Sequence, residues 1–217
     1  MSLRSLVAAF VLWGATLPLA AQQPAGASAW RSILDPPRPA TGQGAADSGL
    51  AFAPMPPGWH VTTGPGAVLF DARNRADGRF VVEAEMFLFP GTGQEGYGVF
   101  VGGADLEGGQ PGYTAFVVRR DGSAAVVQRR AGADTLLAPW TRDEAVVAHP
   151  GDGTAKNVLR IVADPATVTF LANDRELVKL PRAALRLDGV VGLRVGSALD
   201  VHTSRLDVTY RLAPARP

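Results

Sequence analysis

Short runs of alternating apolar residues, bounded by turn signals, constrain the fold of this chain more than any other feature. In Arg79–Phe89, which reads RFVVEAEMFLF, apolar residues occupy every second position, and Glu83 and Glu85 fall on the opposite face. A period of two is typical of a β-strand with one buried face. Comparable runs recur as far as SRLDVTYRL near the C-terminus. The pattern predicts an all-β protein built as a two-sheet antiparallel jelly-roll sandwich.

The turns between these runs are also readable. Asp121-Gly122 and Asn173-Asp174 each lie between two apolar runs, and Asp164-Pro165 marks a further reversal. Asn, Asp and Gly tolerate the left-handed backbone of tight hairpin turns. We therefore expect Asn173-Asp174 to turn a hairpin that places Phe170 on the core side. Runs such as AFVV, AAVV and GVVGL are apolar at consecutive positions, which is typical of strands covered on both faces or lying beside small residues.

The N-terminus has the layout of a secretory signal peptide. Arg4 precedes a short apolar run, and small residues follow at Ala20 and Ala21. The run is too short to span a bilayer. We expect a signal peptide over 1–21, a Pro/Gly/Ala-rich linker over 22–57, one domain over 58–213 and a tail over 214–217. The protein is then secreted or periplasmic, and the domain must hold its fold without a single cysteine.

Charge excludes some classes of partner. The chain carries a net charge of +1, and Arg4 is the one charged residue of the expected signal, so the mature chain is neutral overall. A neutral chain has no bulk electrostatic attraction to nucleic acid or to an anionic membrane. We therefore expect neither nucleic-acid binding nor stable membrane insertion, and the sequence leaves the oligomeric state open.

Four stretches carry a resemblance to a known superfamily. They read PPGWHVTTGPGAVLFD, RFVVEAEMFLF, NVLRIVADPATVTFLANDREL and DGVVGLRVGSALDVHTSRLDV. Together they resemble the opening strands, the long outer strand, the hairpin and the closing strands of concanavalin A-like lectin/glucanase domains, over roughly 59–212. The nearest resemblance is to 3-keto-disaccharide hydrolase-type and laminin-G-like domains. The resemblance implies a jelly roll that binds or cleaves carbohydrate.

The chain departs from those hydrolases where their polar active-site groups would lie. The inner strands here read EGYGVFVGG and YTAFVVRRDG, which are mainly apolar. Glu83 and Glu85 remain as an alternative catalytic pair, about 7 Å apart from the strand rise, a spacing that inverting glycosidases use. A solvated outer face is the competing explanation of these two acids. We therefore predict binding of a glycan or cell-surface polysaccharide without catalysis, with a glycoside hydrolase or lyase, or a structural protein-interaction module, as alternatives.

Aromatic and arginine side chains are the candidate binding groups. Sugar rings pack against exposed aromatic faces, and guanidinium groups donate to hydroxyls and carboxylates. Tyr97 and Tyr113 each begin a run, so we expect both at one rim. The predicted ligand-binding residues are Tyr97, Tyr113, Arg119, Trp140 and Arg194.

The remaining motifs predict no cofactor. Gly91-Thr-Gly-Gln-Glu-Gly96 matches a dinucleotide fingerprint, but a strand follows it where such a site needs a helix. His60, His149 and His202 are not spaced as metal ligands. Calcium binding remains open only because of the resemblance. Five aspartates could supply oxygen ligands, although they form no calcium-loop motif: Asp71, Asp105, Asp152, Asp188 and Asp200.

Overall fold

The computed structural model describes residues 29–36 and 49–211. The predicted signal peptide with its cleavage site after Ala21, and the predicted tail, lie outside the described residues. The described part is almost entirely β-structure, with a single 3-10 turn at Arg182–Ala184. Its strands are β1 (Trp30–Leu34), β2 (Ala51–Pro54), β3 (Trp59–Thr62), β4 (Ala67–Ala76), β5 (Phe80–Leu88), β6 (Tyr97–Ala104), β7 (Gly112–Val118), β8 (Ser123–Arg130), β9 (Ala133–Arg142), β10 (Ala155–Ala163), β11 (Thr167–Ala172), β12 (Arg175–Pro181), β13 (Gly189–Val195) and β14 (Asp200–Tyr210).

These strands form two seven-stranded sheets, in which every described pairing is antiparallel. The first sheet has the order β1-β4-β13-β6-β7-β8-β9, and the second has the order β12-β11-β10-β5-β14-β3-β2. The sheets face each other across one hydrophobic core that includes Phe80, Phe116, Phe170 and Leu193. The two-sheet antiparallel sandwich predicted from the sequence is therefore confirmed.

The second sheet follows the alternating pattern closely. Along β5, buried residues alternate with partly exposed ones from Phe80 to Leu88, and Glu83 and Glu85 are among the partly exposed residues. The hairpin between β11 and β12 turns at Asn173 and Asp174, whose φ angles are 48° and 68°. Phe170 is fully buried and packs against Phe116 of the first sheet, with ring centroids 5.5 Å apart. The predicted turn and the core position of Phe170 are thus confirmed.

Two strands fall inside the segment that the sequence predicts as linker. β1 pairs with β4 at one edge of the first sheet, and β2 pairs with β3 at one edge of the second. Aromatic packing explains their place: the Trp30 ring lies 5.5 Å from Phe52 and 4.8 Å from Trp59, centroid to centroid. Three large rings from β1, β2 and β3 thus cover neighbouring edges of the two sheets. Within the described ranges, no helix is long and apolar enough to cross a membrane.

Candidate functional site

The outward face of the first sheet carries a pocket of about 320 Å³, called here the first-sheet pocket. It lies over β7, β8, β9 and β13, and Gly96 and Gly196 are also among its lining residues. Along β7, Phe116 and Val118 point into the core, whereas Tyr113, Ala115 and Val117 belong to a second apolar cluster on the outward face. This explains why the strand is apolar at consecutive positions: both of its faces are covered.

The floor of the first-sheet pocket is apolar and built from small side chains. Ala115, Val117 and Val127 line it, and Leu136 stands at its lip with half of its surface exposed. Small β-branched and alanine side chains leave room above the sheet that larger residues would fill. The result is a recess with an apolar base, which suits the C–H face of a ring-shaped ligand.

Arg119 and Trp140 form one wall of the pocket as a stacked pair. The guanidinium carbon of Arg119 lies 3.6 Å from the centroid of the indole ring, a close cation–π contact. A Cβ atom at residue 96 would lie 2.7 Å from the Trp140 ring, so Gly96 is what allows the indole to sit there. The Arg119 guanidinium covers one face of Trp140, and a ligand on that side meets the guanidinium rather than the indole.

Arg194 lies deeper and is held by several acceptors. Its Nη2 donates to Asp35 Oδ2 at 2.5 Å, and its Nη1 donates to the backbone oxygens of Ala67 and Val195 at 3.1 and 3.0 Å. Burial acts to lower the pKa of this guanidinium, but Tyr113, Asp35 and Glu95 outweigh it, so the pKa is raised. Arg194 therefore stays charged and is fixed in position.

Tyr113 contributes little open surface. Its ring is 3% exposed and packs against Phe100, with centroids 5.3 Å apart. Burial raises the pKa of its phenol, so the hydroxyl stays protonated near neutral pH. Tyr113 can offer a hydroxyl and a ring edge to the pocket but not a stacking face.

Two carboxylates that the sequence interpretation did not select also line the pocket. Glu95 Oε2 accepts from the Ser197 backbone N–H at 2.9 Å and from its hydroxyl at 3.3 Å. Asp134 Oδ1 accepts from Arg129 Nη1 at 3.0 Å. Glu95 lies in the glycine motif that precedes β6. Its position, as a charged residue in a loop next to a strand with a predicted binding residue, could have identified it from the sequence.

Four of the five predicted binding residues meet at the first-sheet pocket, namely Tyr113, Arg119, Trp140 and Arg194. Tyr97 does not. It is fully buried in the core, where Asn157 Nδ2 donates to its hydroxyl at 3.2 Å, and burial raises its pKa to about 12. Antiparallel pairing explains the difference, because Tyr97 lies opposite Val118 and shares the inward face with it.

Glu83 and Glu85, the alternative catalytic pair, lie on the outward face of the second sheet, on the other side of the core. Glu83 accepts from Arg160 Nε at 2.7 Å and is also paired with Arg205. Glu85 pairs with Lys156 at 2.6 Å and accepts from the Ser204 hydroxyl at 2.7 Å. These bonds, with Lys156 as the main cause, lower the pKa of Glu85 and favour its ionised form. Neither acid faces the first-sheet pocket.

The histidines and aspartates do not gather into a metal centre. Among residues 29–36 and 49–211, no group of three His, Asp or Glu side chains has the arrangement to hold a metal ion. His60 Nε2 lies 2.7 Å from Asp200 Oδ1, and Asp71 bonds Arg73 at 2.6 Å. The described part of the chain therefore contains no cluster of side chains arranged to bind calcium.

Comparisons with known proteins place the fold. No protein-family model and no curated protein sequence matches the chain. Among solved structures, the carbohydrate-binding module CBM66 from Bacillus subtilis is similar with a TM-score of 0.59 and 12% identity, over 83% of this chain and 95% of that one. A Bacillus subtilis protein of unknown function with a galectin-like fold gives 0.56 and 13%, over 83% and 89%.

A third solved structure shares the same architecture. A GH16 protein from Bacteroides ovatus, solved with a product of mixed linkage glucan, is similar with a TM-score of 0.55 and 9% identity, over 83% of this chain and 94% of that one. The chain thus has the concanavalin A-like jelly-roll fold, as the sequence resemblance predicts. At these identities the likeness shows the fold, and the chemistry must be argued from the pocket itself.

Proposed function

We propose that this chain is an exported lectin-like domain that binds a glycan in the first-sheet pocket without cleaving it. The observation that carries the proposal is the pocket's composition: an apolar floor below two arginines and two carboxylates whose positions are set by neighbouring groups. Ring C–H groups fit the floor, and hydroxyls fit the surrounding donors and acceptors. The layout of 1–21 supports export.

Held side chains favour binding because a ligand does not have to order them. Arg119 is stacked on Trp140, Asp134 is bonded to Arg129, and Glu95 is bonded to Ser197. Each immobilised flexible side chain would otherwise cost about 0.5–1.5 kcal/mol on association. The fold adds support, since CBM66 is named as a carbohydrate-binding module and the GH16 structure holds a glucan product.

The positions of the acidic residues favour a binding protein over a glycosidase. Glycosidic cleavage needs one acid kept protonated and a second acid or base across the bond. Glu83 and Glu85 face away from the pocket and are paired with basic residues. Within the pocket, Glu95 already accepts from the Ser197 backbone N–H, and Asp134 already accepts from Arg129.

The test is a glycan array on the mature domain, followed by calorimetric titration of the saccharides that bind. Val127 is half-buried on the pocket floor, so Val127→Trp should fill the recess and weaken binding at least about 10-fold, or ~1.4 kcal/mol. The matched control is Val162→Trp, the same substitution on the outward face of the second sheet, which should leave binding unchanged.

Two outcomes would overturn the proposal. If Val162→Trp weakened binding and Val127→Trp did not, the glycan site would lie on the second sheet. If incubation with glucosides and 3-keto-glucosides released product, and Glu95→Gln or Asp134→Asn abolished that release with folding intact, the chain would be an enzyme.

A further inference from the structure

One charged group in the first-sheet pocket, Arg119, stacks on an aromatic ring but has no acceptor for its N–H groups among the described residues. Within the described ranges, the Arg119 side chain makes no ion pair and no hydrogen bond, and its Nε is buried without an acceptor. Its two terminal nitrogens also have no acceptor, and because they are not sealed from solvent as Nε is, they are the donors that a ligand can reach. The carboxylate nearest in sequence, Asp121, accepts from the Ser123 hydroxyl at 2.6 Å instead.

The other charged groups of the pocket already have partners. Arg194 donates to Asp35, Asp134 accepts from Arg129, and Glu95 accepts from Ser197 while acting on Arg194 electrostatically. A ligand that competed for any of these would have to break an existing bond. Arg119 is therefore the group at which a new charge-assisted bond forms without such a loss.

The geometry of Arg119 selects the shape of that partner. One face of its guanidinium lies on the Trp140 ring, with the guanidinium carbon 3.6 Å from the ring centroid. The N–H donors of a guanidinium radiate in its own plane, so stacking leaves them pointing sideways from the indole. Two parallel N–H groups match the two oxygens of a carboxylate. Gly96 leaves room for the indole, and the indole in turn holds the guanidinium by stacking, so the N–H donors are positioned before the ligand arrives.

We propose that the glycan bound by this pocket carries a carboxylate, as a uronic acid does, and that Arg119 binds it through both oxygens. This inference rests on the proposed function and adds the substrate class to it. The uronate ring lies over Val117 and Leu136, and its carboxylate reaches Arg119 at the wall. Neutral sugars use the same floor but leave the Arg119 donors without a charged acceptor.

The experiment compares each oligouronate with its own methyl ester, which keeps the ring and removes the charge. Calorimetric titration of oligogalacturonate, oligomannuronate and oligoglucuronate should find at least one acid that binds about 10- to 100-fold more tightly than its ester, as expected for a hydrogen-bonded charge. Arg119→Gln should erase that difference. Arg119→Lys should restore only part of it, because an ammonium keeps the charge without the planar fork.

The matched control is Arg130→Gln, which removes the same charge from an exposed position at the end of β8. It should leave the ratio between acid and ester unchanged. A sulfated galactan serves as a second anionic probe. If it binds as tightly as the best uronate, the pocket selects charge rather than a carboxylate, and the inference fails.

The results also separate this inference from the proposed function. Equal affinity for every acid and its ester, with binding still lost in Val127→Trp, overturns the uronate inference and leaves glycan binding standing. Failure of every saccharide to bind overturns both. Thermal unfolding of Arg119→Gln checks its fold, and the comparison of acid with ester on the unaltered protein decides the matter even if that variant is unstable.

Discussion

The outward faces of the two sheets are built on opposite plans. On the second sheet, Arg160 of β10 lies directly opposite Glu83 of β5 and pairs with it, and Lys156 pairs with Glu85 from a diagonal position. On the first sheet, the outward face is mainly apolar, and its charged side chains lie around the pocket over β7 and β8. One face is a network of ion pairs open to solvent, whereas the other is a shaped pocket.

The difference teaches how each face is encoded. A strand with one solvent-exposed face must alternate between apolar and polar residues, as β5 does over most of its length. A strand whose outer face is also covered can be apolar throughout, as β7 is from Gly112 to Val118. In a sandwich of this kind, the loss of alternation in neighbouring strands indicates which sheet carries a covered outer surface. The consecutive apolar residues of β7 thus lie on the sheet whose outward face carries the first-sheet pocket.

The largest expected effect on stability tests which residues of the second sheet face the core and which face outward. Phe170→Ala should lower the free energy of unfolding by about 3–5 kcal/mol, because the ring is fully buried against Phe116. Thr169→Ala, one residue earlier and on the outward side, should cost below about 1 kcal/mol. Denaturant titration measures both. Similar losses for the two variants would mean that the assigned faces of β11 are wrong.

The next effect tests the two faces of the first sheet through Tyr97. Burial raises its pKa to about 12 in the folded protein, from the ordinary tyrosine value of 10.0. Between these values the unfolded chain releases the phenol proton and the folded chain keeps it, so stability falls as pH rises from about 10 to about 12. At pH 11 this loss amounts to about 1.4 kcal/mol.

Tyr97→Phe removes that loss. Its free energy of unfolding should therefore decline less than that of the unaltered protein between pH 9 and pH 11. At neutral pH the variant loses the hydrogen bond from Asn157, but Asn157 Nδ2 still donates to the Val147 carbonyl at 3.1 Å. Parallel decline of the two proteins with pH would place Tyr97 in solvent, as the rim hypothesis held.

The smallest effect concerns the ion pairs of the second sheet. Glu83→Gln should change the free energy of unfolding by less than about 1 kcal/mol, since partly exposed pairs contribute little. Glycan binding should stay the same, because Glu83 lies across the core from the pocket. Denaturant titration and calorimetry measure these two quantities. Loss of binding or of a catalytic turnover in this variant would move the functional face to the second sheet.

Much of the fold could be predicted from local pattern. Alternation, the Asn173-Asp174 turn and the absence of cysteine predict strands, a hairpin and a disulfide-free core. Four of the five candidate residues, chosen because sugars pack on aromatic rings and bond guanidinium groups, are brought together at the first-sheet pocket. Tyr97 was misplaced because strand starts lie at opposite ends of an antiparallel pair, which only the register reveals: Tyr97 is opposite Val118, and Tyr113 is opposite Arg129.

The remaining errors come from long-range contacts. Asp35 stands in proline-rich text that reads as linker, yet its carboxylate holds Arg194, which is 159 residues away in the chain. β1 and β2 are short and become strands by pairing with the edges of two different sheets. Local sequence carries no signal for either contact, because the partner supplies the burial and the hydrogen bonds.

The central claim is that the outward face of the first sheet is the binding face. It is tested most directly by NMR chemical-shift mapping with the tightest-binding oligosaccharide from the array. We expect the largest shifts at the Trp140 indole N–H and at the amides of Val117 and Leu136, with Glu85 and Arg160 unchanged. Shifts centred on Glu85 and Arg160, with the Trp140 indole unmoved, would contradict the account.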